Sequence, residues 1–193
     1  MIIFQKLSSL FDYPKADYFE RMDEVEALIS QFNAKHILAW NNYSQMIQPL
    51  TLGDLQEGFI SSFDVQANTS LDVGHILFGE DKSRNKFLIH LKEEHAKVHH
   101  NCGREMPDYL PNLLGLLAIS EDVDFVEELA ISIILPALRL MKSGIGNSGN
   151  PYTSLFELLI EFIEEKFQGS TFKEYVPVAK TSCNFSKSHC HHG

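Results

Sequence analysis

An all-α, single-domain helical bundle is the fold class this sequence predicts, and three observations point to it. Apolar residues recur at helical spacing along nearly the whole chain. No run alternates apolar and polar residues with period two over the length of a strand. The candidate helices are divided by short stretches of Pro, Gly, Asn and Ser, which end helices and open turns. With 193 residues, 44% of them apolar, the chain can bury one full core and is short for two.

The elements follow in order. Ile3, Leu7, Leu10 and Phe11 form a first stripe, stopped at Tyr13-Pro14. Tyr18, Met22, Val25, Ile29 and Phe32 form a second. A third helix is predicted over His36 to Leu50, with Ile37, Trp40, Ile47 and Leu50 facing inward. Thr51 is placed to cap a fourth, carrying Leu55, Phe59 and Phe63. A polar stretch from Asp64 to Ser70 reads as a loop. A short helix from Leu71 should end at Gly79, and the next should run from Ser83, as N-cap, to His100, with Gly103 as its stop. Leu110, Leu113, Leu114 and Leu117 follow Pro107. Val123 to Met141 reads as one long helix with an acidic first turn, which suits the helix dipole, and with a kink at Pro136. Ser143 to Asn150 reads as a loop, and Asn150-Pro151 as the start of a last helix through Leu155, Phe156, Leu159, Ile163 and Phe167. Periodicity then fades. The organisation expected is a helical domain over residues 1–168 and an irregular tail over 169–193 with a Cys/His cluster.

Charge and composition narrow the function classes. The formal net charge of −10 repels phosphate backbones and attracts basic peptides, so nucleic acid is not an expected partner. No apolar run reaches the length of a membrane span, and Met1 to Lys6 does not open like a signal peptide. A cytoplasmic protein is expected. Its three cysteines, widely spaced and odd in number, read as thiols or metal ligands rather than a disulfide framework.

Three segments, in this order, carry a resemblance. They are Leu7-Ser-Ser-Leu-Phe-Asp-Tyr-Pro14; Phe59-Ile-Ser-Ser-Phe-Asp64 followed by Ser70-Leu71 and Gly79-Glu-Asp-Lys-Ser-Arg84; and Arg104-Glu-Met-Pro-Asp-Tyr-Leu-Pro111 running into Leu113-Leu114. Over roughly residues 5 to 165 the chain resembles the redox-enzyme maturation chaperones, the nitrate reductase delta subunit and its TorD-like relatives. The Glu-x-Pro-Asp-x-Leu-Pro segment is the most specific part. Tyr109 and Gly115 stand where the family often has His and Glu. The resemblance implies a TorD-like helical bundle without enzymatic activity or a required cofactor. It implies binding of the N-terminal segment, often a twin-arginine signal peptide, of a molybdoenzyme catalytic subunit while molybdenum cofactor is inserted. The residues it marks for that peptide are Asp64, Glu80, Glu105, Pro107, Asp108, Tyr109, Leu110 and Pro111.

Elementary chemistry agrees, because a basic-then-apolar peptide calls for carboxylates beside an apolar groove. Each marked carboxylate also has a plain structural reading. Asp108 can cap the helix that follows it, Glu80 and Arg84 can form an i,i+4 surface pair, and the Asp64 loop can be an ordinary connection. His90, Glu94, His95 and His99 have chelating spacing, but Phe87, Leu91, His95 and Val98 share one stripe, which places His95 at the core edge. In the tail, Cys183, His189, Cys190 and His191 suit zinc or another transition metal. An alternative class is therefore a small metal-dependent enzyme or a metal carrier using that cluster. A domain-swapped dimer is open to a helical chain with hinge loops of this kind.

Overall fold

The computed structural model describes residues 1–64, 69–146 and 149–177. Among them it is all α-helical: α1 (Ile2–Ser8), α2 (Tyr18–Ile29), α3 (Ala34–Ile47), α4 (Leu52–Phe63), α5 (Val73–Phe78), α6 (Lys82–Lys97), α7 (Leu110–Ile119), α8 (Val123–Glu128), α9 (Leu135–Ile145) and α10 (Tyr152–Lys166). A π-helical segment, Leu129–Ile134, joins α8 to α9 without a break.

At the centre lies α7. Its Leu110, Leu113, Leu114, Leu116 and Leu117 are all at most 1% exposed. A helix apolar on every side has no face for water and packs inside. It runs against α1, while α10 packs between α3 and α9. Each fully buried leucine of this kind contributes about 1.5–3 kcal/mol. Around α10 an aromatic cluster closes the core, with Phe63 4.7 Å from Tyr152 and Phe11 5.2 Å from Phe156, ring centre to ring centre. The Tyr18 hydroxyl bonds the Tyr43 hydroxyl and the Leu10 carbonyl, so these buried phenols keep partners.

Local chemistry sets most boundaries. Thr51 and Asp54 form a reciprocal capping box at the start of α4. At α10 the Asn150 side chain accepts the Tyr152 N–H at 3.0 Å. Helix α6 departs from its expected span at both ends. Asp81, not Ser83, is the N-cap, and its carboxylate accepts the Ser83 N–H at 2.8 Å. The helix stops at Lys97 because the chain reverses there. His99 adopts φ 54°, and the His100 N–H reaches back to the His95 carbonyl at 2.9 Å. That is a Schellman reversal with histidine where glycine is usual. Helix α9 likewise continues to Ile145, past the expected stop at Ser143.

The π-helical segment Leu129–Ile134 runs directly into α9, which carries Pro136 in its first turn. Proline has no N–H for the carbonyl one turn back, and the Ser132 carbonyl accepts the Tyr175 N–H at 2.9 Å instead. Tyr175 belongs to an irregular strap, residues 169–177, whose ring also meets Phe78 at 4.9 Å.

Candidate functional site

The Glu105–Pro111 segment is held by three local constraints. Asp72 and Tyr109 form an antiparallel bridge, with the Val73 N–H donating to the Asp108 carbonyl and the Leu110 N–H to the Leu71 carbonyl, each at 2.9 Å. Asn112 donates its side-chain N–H to the Met106 carbonyl at 2.9 Å. The Tyr109 hydroxyl donates to the Phe11 carbonyl at 3.1 Å, tying the segment to the connection between α1 and α2.

Within this segment the marked residues divide into two sets. Pro107, Asp108, Leu110 and Pro111 are buried. Asp108 is 0% exposed, and its carboxylate takes the Arg84 Nε–H at 3.1 Å. It does not cap α7, whose N-cap is Tyr109. Arg84 also lies 3.6 Å from Asp72 and 3.7 Å from Glu80, so one guanidinium on α6 gathers three carboxylates from the connections around α5 and before α7. Gly74 permits this packing: a Cβ there would come within 2.6 Å of the Asp108 Oδ2. Glu105 and Asp64 are exposed, as is Glu80, which also meets His75 at 3.0 Å.

Glu105, Tyr109 and Asp64 open onto one cleft of about 560 Å³, lined also by Asp12, Asp72, Tyr13, Phe59, Phe63, Ser70 and Leu71, with Lys15 as the one cation among its described lining residues. One rim is thus acidic and one wall aromatic, with Tyr13 edge-on to Phe59 at 5.7 Å. The acidic rim is electrostatically loaded. Burial pushes the Asp12 carboxyl up; Arg21 and Lys15 oppose this and Glu105 adds repulsion. Burial also raises Asp72, with Asp108 and Glu105 adding to it against Arg84 and His75. Tyr109 is held far from ionisation by burial and then by Asp12, Glu105 and Asp72. Carboxylates that disfavour one another's charge are relieved by a cation placed among them. A larger groove of about 630 Å³, lined by Ile3, Leu28, Phe32 and Phe162, has only Glu165 as its carboxylate, beside Lys166. It suits an apolar guest better than a basic one.

Of the residues the resemblance marks for one peptide, Asp64, Glu105 and Tyr109 do line one cleft, whereas Asp12, Tyr13 and Asp72, which line it with them, are not among those marked. The signal for Asp12 and Tyr13 was present in the Phe11-Asp-Tyr-Pro14 run, next to the stop of the first stripe. The tail residues Cys183, His189, Cys190 and His191 lie outside the described residues. Among the described residues, no helix is long and apolar enough to cross a membrane.

Comparison with known proteins adds two relatives. The chain is 27% identical over 171 residues to a protein of Bacillus subtilis (strain 168) described as probable nitrate reductase molybdenum cofactor assembly chaperone NarJ, covering 84% of this chain and 89% of that one. It is 27% identical over 163 residues to probable nitrate reductase molybdenum cofactor assembly chaperone NarW of Escherichia coli (strain K12), covering 83% of this chain and 68% of that one. No family model matches the chain. The resemblance to the redox-enzyme maturation chaperones therefore extends over most of the sequence, and the all-α architecture is in keeping with it.

Proposed function

We propose that this chain is a cytoplasmic assembly chaperone, without enzymatic turnover, for the catalytic subunit of a molybdenum oxidoreductase. Its working surface is the cleft between Glu105–Tyr109, the Asp12–Tyr13 connection and the end of α4. The observation that carries this reading is the pairing of a loaded acidic rim, Asp12, Asp72 and Glu105, with an aromatic wall, Tyr13, Phe59 and Phe63. A client segment that is basic and then apolar, as a twin-arginine signal is, matches both halves. Guanidinium groups take charge-assisted hydrogen bonds from the carboxylates, and apolar side chains cover the rings. Both relatives are named as chaperones, which supports a binding role rather than catalysis.

Buried Asp108, Pro107, Leu110 and Pro111 act in this reading as positioning residues. Asp108 anchors Arg84 from below and so fixes where Asp72 and Glu80 point. The first test is genetic: cells lacking this chain should make the catalytic subunit with most of its molybdenum missing. Full molybdenum loading in its absence overturns the reading. The second test is direct titration of the client's N-terminal peptide, which should bind the purified chain and lose affinity several-fold on Glu105→Gln.

A further inference from the structure

The reversal after α6 brings together three ligand atoms that peptide binding does not use. His95 Nδ1 and His100 Nδ1 are 2.9 Å apart, and Cys102 Sγ lies 4.0 Å from the latter. One ligand atom from each of the three residues falls within 4.8 Å of the others. The rings of His95 and His100 stack at 4.8 Å and 25°. Two imidazoles and a thiol are a donor set for zinc, not for magnesium or calcium. Two nitrogens bound to one tetrahedral zinc stand about 3.3 Å apart, and a sulfur and a nitrogen about 3.6 Å. The two distances from His100 Nδ1 differ from these by about 0.4 Å, and the three ligand atoms all lie within 4.8 Å of one another.

The surroundings are those of a metal ligand set. The Pro107 carbonyl can only accept, so the His95 Nε2 at 3.1 Å carries the proton and leaves Nδ1 with its lone pair inward. A metal-bound histidine is commonly oriented by a backbone carbonyl in this way. His100 fits because position 115 is glycine: a Cβ there would come within 2.7 Å of the His100 Nε2. His95 is buried, whereas His100 and Cys102 are only partly buried.

We propose that His95, His100 and Cys102 form a zinc site that staples the end of α6 to the loop leading into Glu105. On binding, the Cys102 thiol gives its proton to solvent and its sulfur coordinates as thiolate. His100, which without metal donates Nδ1–H to His95, carries its proton on Nε2 instead. The site stands independently of any client and of the tail cluster.

Cobalt(II) is the probe, because a thiolate ligand adds a near-ultraviolet charge-transfer band to its spectrum. To remove the tail's ligands, the full chain is used with Cys183, Cys190, His189, His191 and His192 replaced by Ser or Ala. This chain should take up one cobalt with a charge-transfer band, and zinc should displace it. Adding Cys102→Ser should abolish the band and weaken binding at least tenfold, with the helical circular dichroism unchanged because Cys102 lies in a loop. Gly115→Ala should weaken binding by crowding His100 while leaving the thiol in place. Absence of the band from the tail-substituted chain, or its survival in Cys102→Ser, overturns the site.

Discussion

At the residue scale, burial separates the charged groups that support from those that receive. Asp108 and Arg84 are a supporting pair, with the carboxylate at 0% and the guanidinium at 14% side-chain exposure. Removing one partner of such a pair strands the other, at a cost of about 3–5 kcal/mol. Asp108→Asn should therefore lower the melting temperature sharply, and any loss of peptide affinity should follow from that. Unchanged melting would show that Arg84 finds other partners. Gly74→Ala, which drives a methyl into the same carboxylate, should cost about 1–3 kcal/mol. The histidines give a pH signature. Burial lowers the folded-state pKa of His95 and His100 below the ordinary 6.5, so the unfolded chain binds more protons in the window just below that value. Their contribution is complete above the unfolded pKa and is lost as pH falls through 6.5 towards the folded values. In chelator, melting between pH 7 and pH 5 should fall more steeply for the wild type than for His100→Asn; equal slopes would remove this source.

At the element scale, two features follow from how helices end. His99 holds a left-handed backbone at the close of α6, a conformation that costs a residue with a Cβ about 1–2 kcal/mol relative to glycine. His99→Gly should raise stability by about 1 kcal/mol, less the entropy glycine loses on folding. The strap after α10 repairs the carbonyl that Pro136 leaves free and covers Phe78. A chain ending at Gln168 loses both, together with the Arg139–Glu174 ion pair, and should be less stable by about 2 kcal/mol and melt at a lower temperature. A chain ending at Lys180 keeps all three and should melt like the full chain. Equal melting of the two truncations would show that the strap contributes nothing.

At the scale of the whole molecule, an acidic chain of net charge −10 places at one cleft two carboxyls, Asp12 and Asp72, that burial first and neighbouring carboxylates second push up. A raised acid is one whose charged form the fold disfavours, so its stabilising contribution is present at low pH and lost as pH rises through the folded value. Asp12→Asn and Asp72→Asn should thus raise the melting temperature at neutral pH while weakening the client peptide, the trade expected of a site built for a cation. A guest guanidinium lowers those pKa values again, so binding should release protons, weaken as the solution is acidified and weaken with salt. Binding insensitive to both salt and acid would place the peptide elsewhere, and the apolar groove beside Phe32 is the first place to look.

What was legible in the sequence was whatever depends on near neighbours in the chain: the helical class, the stripes, the Thr51 cap and the turn at Asn150-Pro151. Those signals act within a few residues and need no fold to operate. Boundaries slipped where a side chain competed for a backbone group, as Asp81 did against Ser83, or where histidine took a glycine's conformation. The family likeness lay in short motifs, yet their roles did not. Asp108 reads as a receptor carboxylate or a cap in one dimension, and becomes the buried partner of Arg84 only when α5 and α6 fold against the segment. Asp12 and Glu105 become neighbours across a cleft, and His95, His100 and Cys102 converge through a chain reversal no periodicity announces. Burial and long-range contact decide whether a charge binds, supports or repels, and both arise only from packing the helices together.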